Sequence, residues 1–343
     1  MNPRDTQRVA WLRETLGAPA PSVAPASSDA SFRRYFRFAH GDQSRIVMDA
    51  PPPQEDCHPF VQVTAVLREA GLNVPQIFAA DLIQGFLLLS DLGDEVYLDC
   101  LNDNNCDVLY HDAIKALVRM QSRGDVSSLP AYCHDKLHDE MQLFVDWFCV
   151  RHLQIDCSGE ALAVLENAFE LLIHEAQVQP QVFVHRDYHS RNLMRTDHEN
   201  PGILDYQDAV LGPIGYDLVS LLRDVYVRWP ESQIDQWLAF YHQLASEENL
   251  LDNASIATFT RWFDLLGIQR HLKIAGIFAR LNYRDGKARY LDDIDLTLAY
   301  LLDVAGRYPE FSPLVALLHE FDVRARSHQR IEQLDTKFSD TNP

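Results

Sequence analysis

Apolar Val9, Leu12 and Leu16 recur at helical spacing, so residues 3–16 predict a short amphipathic helix. An Ala/Pro/Ser stretch over 17–30 carries no periodic signal. The aromatic-rich run SFRRYFRF (31–38) predicts a strand, His40-Gly41-Asp42 a turn, and Arg45–Asp49 a returning strand. Pro51-Pro52-Pro53 ends that strand, because proline lacks the N–H a ladder needs. A helix over 59–71 stops at Gly71, the residue suited to a left-handed cap, and two short strands follow at 76–81 and 85–90. From about residue 105 the period becomes helical: 107–122, 137–152, 159–177, 214–228, 232–246, 254–284, 294–306 and 313–325. One β insertion interrupts it at 182–205, and the last ten residues are polar and read as a frayed tail. The expectation is an α+β chain in two lobes that share a cleft. Residues 1–91 form a small N-terminal lobe of sheet plus helix, and 92–343 a large, mostly helical C-terminal lobe.

Composition narrows the function. The chain has 343 residues, 47% of them hydrophobic, and a formal net charge of −20. A binder of phosphate backbones needs a basic surface, so nucleic acid is excluded as an expected partner, and anionic membranes are disfavoured on the same ground. Six cysteines are scattered with no C-x-x-C pair and read as reduced thiols. The first residues, MNPRDTQRVAWLRETLG, are charged, and no apolar run approaches the ~18 residues that span a bilayer. The expectation is a cytoplasmic protein, a monomer or a homodimer.

The candidate chemistry lies in VFVHRDYHSRNLMRTDHENPGILDYQDAVLGPIGYDLVSLL, residues 182–222. A buried strand, Val182–Val184, leads into His185-Arg186-Asp187, and Asn192 follows five residues after Asp187. Leu193-Met194 then runs through a turn containing Asn200-Pro201-Gly202 to Ile203-Leu204 and Asp205. Phosphoryl transfer needs one group to orient the attacking hydroxyl and others to hold magnesium on the phosphates. Asp187 suits the first role; Asn192 and Asp205 offer the oxygen ligands a hard cation prefers. The H-R-D-x-x-x-x-N spacing with a later Asp is the signature of kinase catalytic loops. His185 reads as a brace for that loop.

HRDYHSRN followed by ILDYQDA resembles the aminoglycoside phosphotransferase and choline-kinase-like superfamily, whose loop is usually H-G-D-x-x-x-x-N. That resemblance implies a two-lobed, protein-kinase-like fold and an ATP- and magnesium-dependent phosphotransferase. It also implies that Asp217 of GPIGYDL supports the catalytic region. SDASFRRYFRF, MDAPP, LLLSDLGDEVYLD and QRHLKIAGIFARLNYRDGK together look like the bacterial N-acetylmuramate and N-acetylglucosamine anomeric kinases of cell-wall recycling. This closer likeness implies a small amino sugar as substrate, phosphorylated at its C1 hydroxyl. Kinases of aminoglycosides or other small alcohols, and a regulatory pseudokinase, are the alternatives.

The chain departs from the usual nucleotide site. The loop position reads Ser27-Ser28-Asp29-Ala30-Ser31 without glycine, and Met48 stands where the phosphate-binding Lys is expected. Arg33 and Arg34 are candidates to replace that Lys, and strand alternation sends one of them toward the cleft. Ser28, Arg33, Arg34, Met48, Leu89 and Asp91 are the expected nucleotide-binding positions, with Leu87–Asp91 crossing between the lobes. Over 270–287, Arg270, Lys273, Arg280 and Arg284 cluster on one helical side, unusual in so acidic a chain. Arg223, Arg270 and Arg280 are the expected substrate contacts. Tyr226 and Trp229 at helical spacing read as core.

Overall fold

The computed structural model describes residues 2–28 and 32–340. In chain order the elements begin with α1 (Pro3–Leu16), β1 (Ala24–Ser28), β2 (Arg34–His40), β3 (Gln43–Asp49), α2 (His58–Glu69), β4 (Ile77–Asp81) and β5 (Phe86–Ser90). Helices α3 (Tyr97–Cys100), α4 (Cys106–Arg123), α5 (His134–Leu143) and α6 (Gly159–Gln177) follow. Then come β6 (Gln181–Val184), β7 (Leu193–Met194), β8 (Gly202–Ile203) and β9 (Val210–Pro213). The rest is α7 (Tyr216–Leu222), α8 (Glu231–Glu247), α9 (Ile256–Asp285), α10 (Ile294–Ala305), α11 (Ser312–Glu320) and α12 (Val323–Asp340).

Contacts define two compact units. The first is Met1–Asp125 with Arg191–Ala209, the second Val126–Ser190 with Val210–Pro343. This division differs from a boundary at residue 91. Helix α4 and the β7–β8 hairpin join the sheet unit through specific bonds: Arg119 donates to the Gly71 carbonyl at 3.0 Å, and Ile203 N–H to the Asn73 carbonyl at 2.8 Å. Asn200 donates to the Tyr97 hydroxyl at 2.8 Å and to Asp112 at 3.0 Å.

The first unit is built on an antiparallel sheet in the order β1-β2-β3-β5-β4. Register assigns each side chain a face. Phe36, Val47 and Leu88 form one cross-strand row, and Arg34, Asp49 and Phe86 another on the same face. Helix α1 covers that face, burying Trp11 and Leu12 against Phe38, Val47, Phe86 and Leu88. Alternation puts Tyr35, Met48 and Leu87 on the opposite face. Strand β1 was not expected from its Ala/Pro/Ser composition. It forms because it is an edge strand, where Pro25 can sit opposite Phe36 without breaking an inner ladder.

The second unit surrounds the 30-residue helix α9. Ser255 caps its start by accepting the Thr258 N–H at 3.2 Å, and Gly286 ends it with φ of 68°. Gly276 lets α9 approach the end of α5 backbone to backbone: a Cβ there would lie 2.3 Å from the Leu143 carbonyl carbon. At that point the expected helix 137–152 changes from α5 into wider π turns over Phe144–His152. Strand β6 pairs with β9, which has no turn or alternation signal of its own. The frayed tail expected from residue 334 is instead helical as far as Asp340.

Candidate active site

The loop after β6 is held by one buried carboxylate. Asp217, in the first turn of α7, accepts the N–H of His185 at 2.6 Å and of Arg186 at 2.9 Å. Asp217 is wholly buried. Burial pushes its carboxyl up to about 7, against the two backbone N–H groups and nearby Arg270, which favour the anion. His185 is also fully buried, stacks edge-on against Tyr188, and accepts the Asp187 N–H at 3.3 Å. The bracing roles expected of His185 and Asp217 therefore have bonds behind them. Between them Arg186 adopts φ of 78°, a left-handed turn unusual for a non-glycine residue, which directs the chain into Asp187.

Asp187 faces a cluster of cations. Its side chain is 40% exposed, and Arg270 approaches to 3.8 Å. Burial opposes its charge, but Lys273 and Arg270, then His189 and Arg186, hold the carboxyl well below the usual carboxylate range. Those cations are fixed in turn. Arg270 donates to the Arg186 carbonyl at 2.8 Å and to the Tyr216 hydroxyl at 3.4 Å; Lys273 donates to the same hydroxyl at 3.1 Å. Glu140 of α5 pairs with Lys273 at 3.0 Å and also binds Arg186 and the Tyr132 hydroxyl. Burial works against the Glu140 charge, yet Lys273 and Arg186 keep its carboxyl below the usual range. Every ion of the cluster has an opposite charge or a hydroxyl beside it, as burial requires.

The sheet unit holds the other oxygen donors. Leu193 pairs with Ile203 in the β7–β8 hairpin, and Leu204 N–H donates to the Asn192 carbonyl at 2.9 Å. Asn192 and Asp205 therefore flank the open end of one hairpin. Asp205 adopts φ of 61°, and Tyr206 beyond it is anchored on α2 by stacking on Phe60 and bonding Thr64 at 2.8 Å. Gln207 donates to Asp205 at 2.9 Å and Arg33 lies 3.7 Å from it. Among the described residues no group of three or more His, Cys, Asp or Glu is disposed to hold a metal. An amide oxygen and one carboxylate still fit magnesium, which takes one or two carboxylates and completes its shell with water and phosphate oxygens.

The remaining expected positions separate. Arg33 lies between Glu55, at 3.3 Å, and Asp205. Arg34 lies on the α1 face of β2, bonded to Asp49 at 2.5 Å, whereas Arg33 precedes the strand and has other partners. Met48 is fully buried and Leu89 nearly so, both as sheet core. Asp91 takes two bonds from Arg37, at 2.6 and 2.9 Å. Ser28 pairs with Arg34 in the sheet; residues 29–31 of the loop expected over the phosphates lie outside the described residues. Arg223 is buried, paired with Asp264 at 2.6 Å and set over Phe263, so it ties the end of α7 to α9. Arg270 is also buried, and its partners are Asp187 and Tyr216 rather than an open surface. Arg280 is half-buried. Trp229 packs edge-on against Trp237 as core. Sequence reading missed Glu140, Tyr132 and Tyr216 beside Asp187, and placed Lys273 in the basic cluster without assigning it a contact. The available signal was an acid, Glu140, on the same helical face as Leu137, Met141 and Phe144, where only a paired charge is tolerated. Asp224, near the expected sugar contacts, accepts the Ser190 N–H at 3.0 Å and the Ser190 hydroxyl, closing the loop from its far side.

A phosphotransferase loop and an oxygen-donor hairpin on an α+β scaffold define a class, and the similarities agree with it. The model of the phosphotransferase enzyme family matches residues 22–251, and the chain belongs to that family. It has the protein-kinase-like fold. An ADP-bound aminoglycoside phosphotransferase superposes with a TM-score of 0.59 at 14% identity, over 88% of this chain and 99% of its own. Choline kinase LicA from Streptococcus pneumoniae gives 0.60 at 10% identity, over 87% of this chain and 99% of its own. Sequence relatives are more specific. An N-acetylmuramate/N-acetylglucosamine kinase of Pseudomonas aeruginosa is 49% identical over 88% of both chains. Its namesake in Pseudomonas putida is 45% identical over 94% of this chain and 97% of its own. That of Neisseria meningitidis is 40% identical over 90% of this chain and 93% of its own. Among the described residues no helix is long and apolar enough to cross a membrane.

Proposed function

We propose that the chain transfers the γ-phosphoryl group of ATP to the anomeric hydroxyl of N-acetylmuramate and N-acetylglucosamine. The observation that carries the reading is the shared name of relatives 40% to 49% identical across at least 88% of this chain. The charge state of Asp187 supports it chemically. A carboxylate held well below its usual range is a weak base but a steady hydrogen-bond acceptor. It can orient a hydroxyl and take its proton late, as phosphate transfer proceeds. An anomeric hydroxyl is more acidic than an ordinary alcohol and asks little of its base. Asn192 and Asp205 would hold magnesium, which supplies charge neutralisation at the phosphates. Arg33, next to Asp205, takes the part of the missing phosphate-binding Lys.

Phosphorus NMR with ATP, magnesium and one acceptor at a time tests this, with N-acetylmuramate, N-acetylglucosamine, kanamycin and choline as the panel. An anomeric phosphate signal is expected with both acetylated sugars. Transfer to kanamycin or choline alone would overturn the reading.

A further inference from the structure

The basic side of α9 changes character along its length. Arg270, Lys273, Arg280 and Arg284 all lie within about a quarter turn of one another at 3.6 residues per turn. Arg270 and Lys273 are buried and committed to Tyr216, Glu140 and Asp187. Arg284 is exposed and paired with Asp285 at 2.8 Å. Arg280 lies between them and is the exception. It is half-buried, and its guanidinium makes no hydrogen bond or ion pair among the described residues; Nε is enclosed, while the terminal nitrogens are not among the enclosed orphans. Burial and the neighbouring Arg284 disfavour its charge, and Asp285 and Glu140 offset this without bonding to it. A half-buried guanidinium left in that state is costly unless an anion completes it. Seven residues are nearly two full turns, so Arg280 lies on the same side of α9 as Lys273, which pairs with Glu140. At 1.5 Å per residue it is about 10 Å further along the axis than Lys273.

We propose that Arg280 binds the carboxylate of an acidic N-acetylated amino sugar, and so sets the preference between acidic and neutral acceptors. This rests on the sugar-kinase reading. The carboxylate is the lactyl group of N-acetylmuramate, carried on a ring carbon other than the reacting one. That matches a cation displaced along α9 from those beside Asp187. The guanidinium fork fits a carboxylate with two parallel bonds, and N-acetylglucosamine offers it no counterpart.

The test measures kcat and KM for both sugars with wild type, Arg280→Gln and Arg280→Lys, and for the methyl ester of N-acetylmuramate with wild type. For Arg280→Gln the ratio of kcat/KM for acid over neutral sugar should fall roughly tenfold, mostly through KM. Arg280→Lys should recover part of the ratio, and the methyl ester should behave with wild type as the acid does with Arg280→Gln. Equal losses on both sugars, or no penalty for the ester, would overturn the assignment while leaving the kinase reading intact. Wild-type protein that phosphorylates neither sugar would instead sink the kinase reading itself.

Discussion

Asp187 and Asp205 are both carboxylates on turns just past a β-strand, yet their surroundings differ. The turn at Asp187 is pinned by Asp217 from beneath and by Asp224 from its far end, and its charge is fixed by Arg270 and Lys273. Those cations are themselves held by Glu140 and Tyr216. Asp205 has a left-handed backbone and bonds Gln207, a side chain that can rotate away. The contrast fits the two tasks proposed for these residues. Orienting a hydroxyl needs one fixed direction and a constant charge, which buried ions supply. Receiving a metal with its phosphates needs donors that can exchange an amide or guanidinium partner for a cation.

The largest expected effect breaks the first side at its end point. Asp187→Asn keeps the shape and removes the charge. It should lower kcat by roughly 10² to 10⁴ while changing KM for sugar little. Near-normal turnover in a steady-state assay would remove Asp187 from its role.

Next in size is the support under Asp187. Glu140→Gln leaves Lys273 and Arg186 buried without their shared anion, which should cost about 3 kcal/mol by urea unfolding. The double variant Glu140→Gln/Lys273→Met should lose less than the two single losses combined, because it removes the ammonium together with the carboxylate that neutralised it. Additive losses would mean that the cluster is not a coupled unit.

These contrasts also mark what the sequence could show. The strand, loop and hairpin that carry Asp187, Asn192 and Asp205 were legible because they lie within one short stretch with its own turn signals. Helices α6 and α9 were legible from period alone, to within two residues at each end. The ion cluster was not, since Glu140 and Lys273 are brought together by tertiary packing of α5 on α9. The pairing of Arg223 with Asp264 was equally hidden, since it too is made by tertiary packing. Strands β1 and β9 escaped because each is made by its partner's ladder rather than by its own pattern.

The second side is tested at its carboxylate. Asp205→Asn should cut activity roughly ten- to hundredfold and raise the magnesium concentration needed for half-maximal rate, with partial recovery at high magnesium. An unchanged magnesium dependence would assign the metal elsewhere.

The smallest effect is the sharpest comparison, because it sets neighbouring arginines against each other. Arg33 lies 3.7 Å from Asp205, whereas Arg34 is on the α1 face with Asp49, which Arg4 also holds at 2.7 Å. If Arg33 substitutes for the missing lysine, Arg33→Ala should raise KM for ATP roughly fivefold, the scale of one partly screened phosphate contact. Arg34→Ala should leave that KM within about twofold and lower stability by about 1 kcal/mol, since Asp49 retains Arg4. The readouts are a KM for ATP and a urea midpoint on the same preparations, so the two effects cannot be confused. A larger rise in KM for Arg34→Ala than for Arg33→Ala would mean that Arg34, and not Arg33, serves the nucleotide.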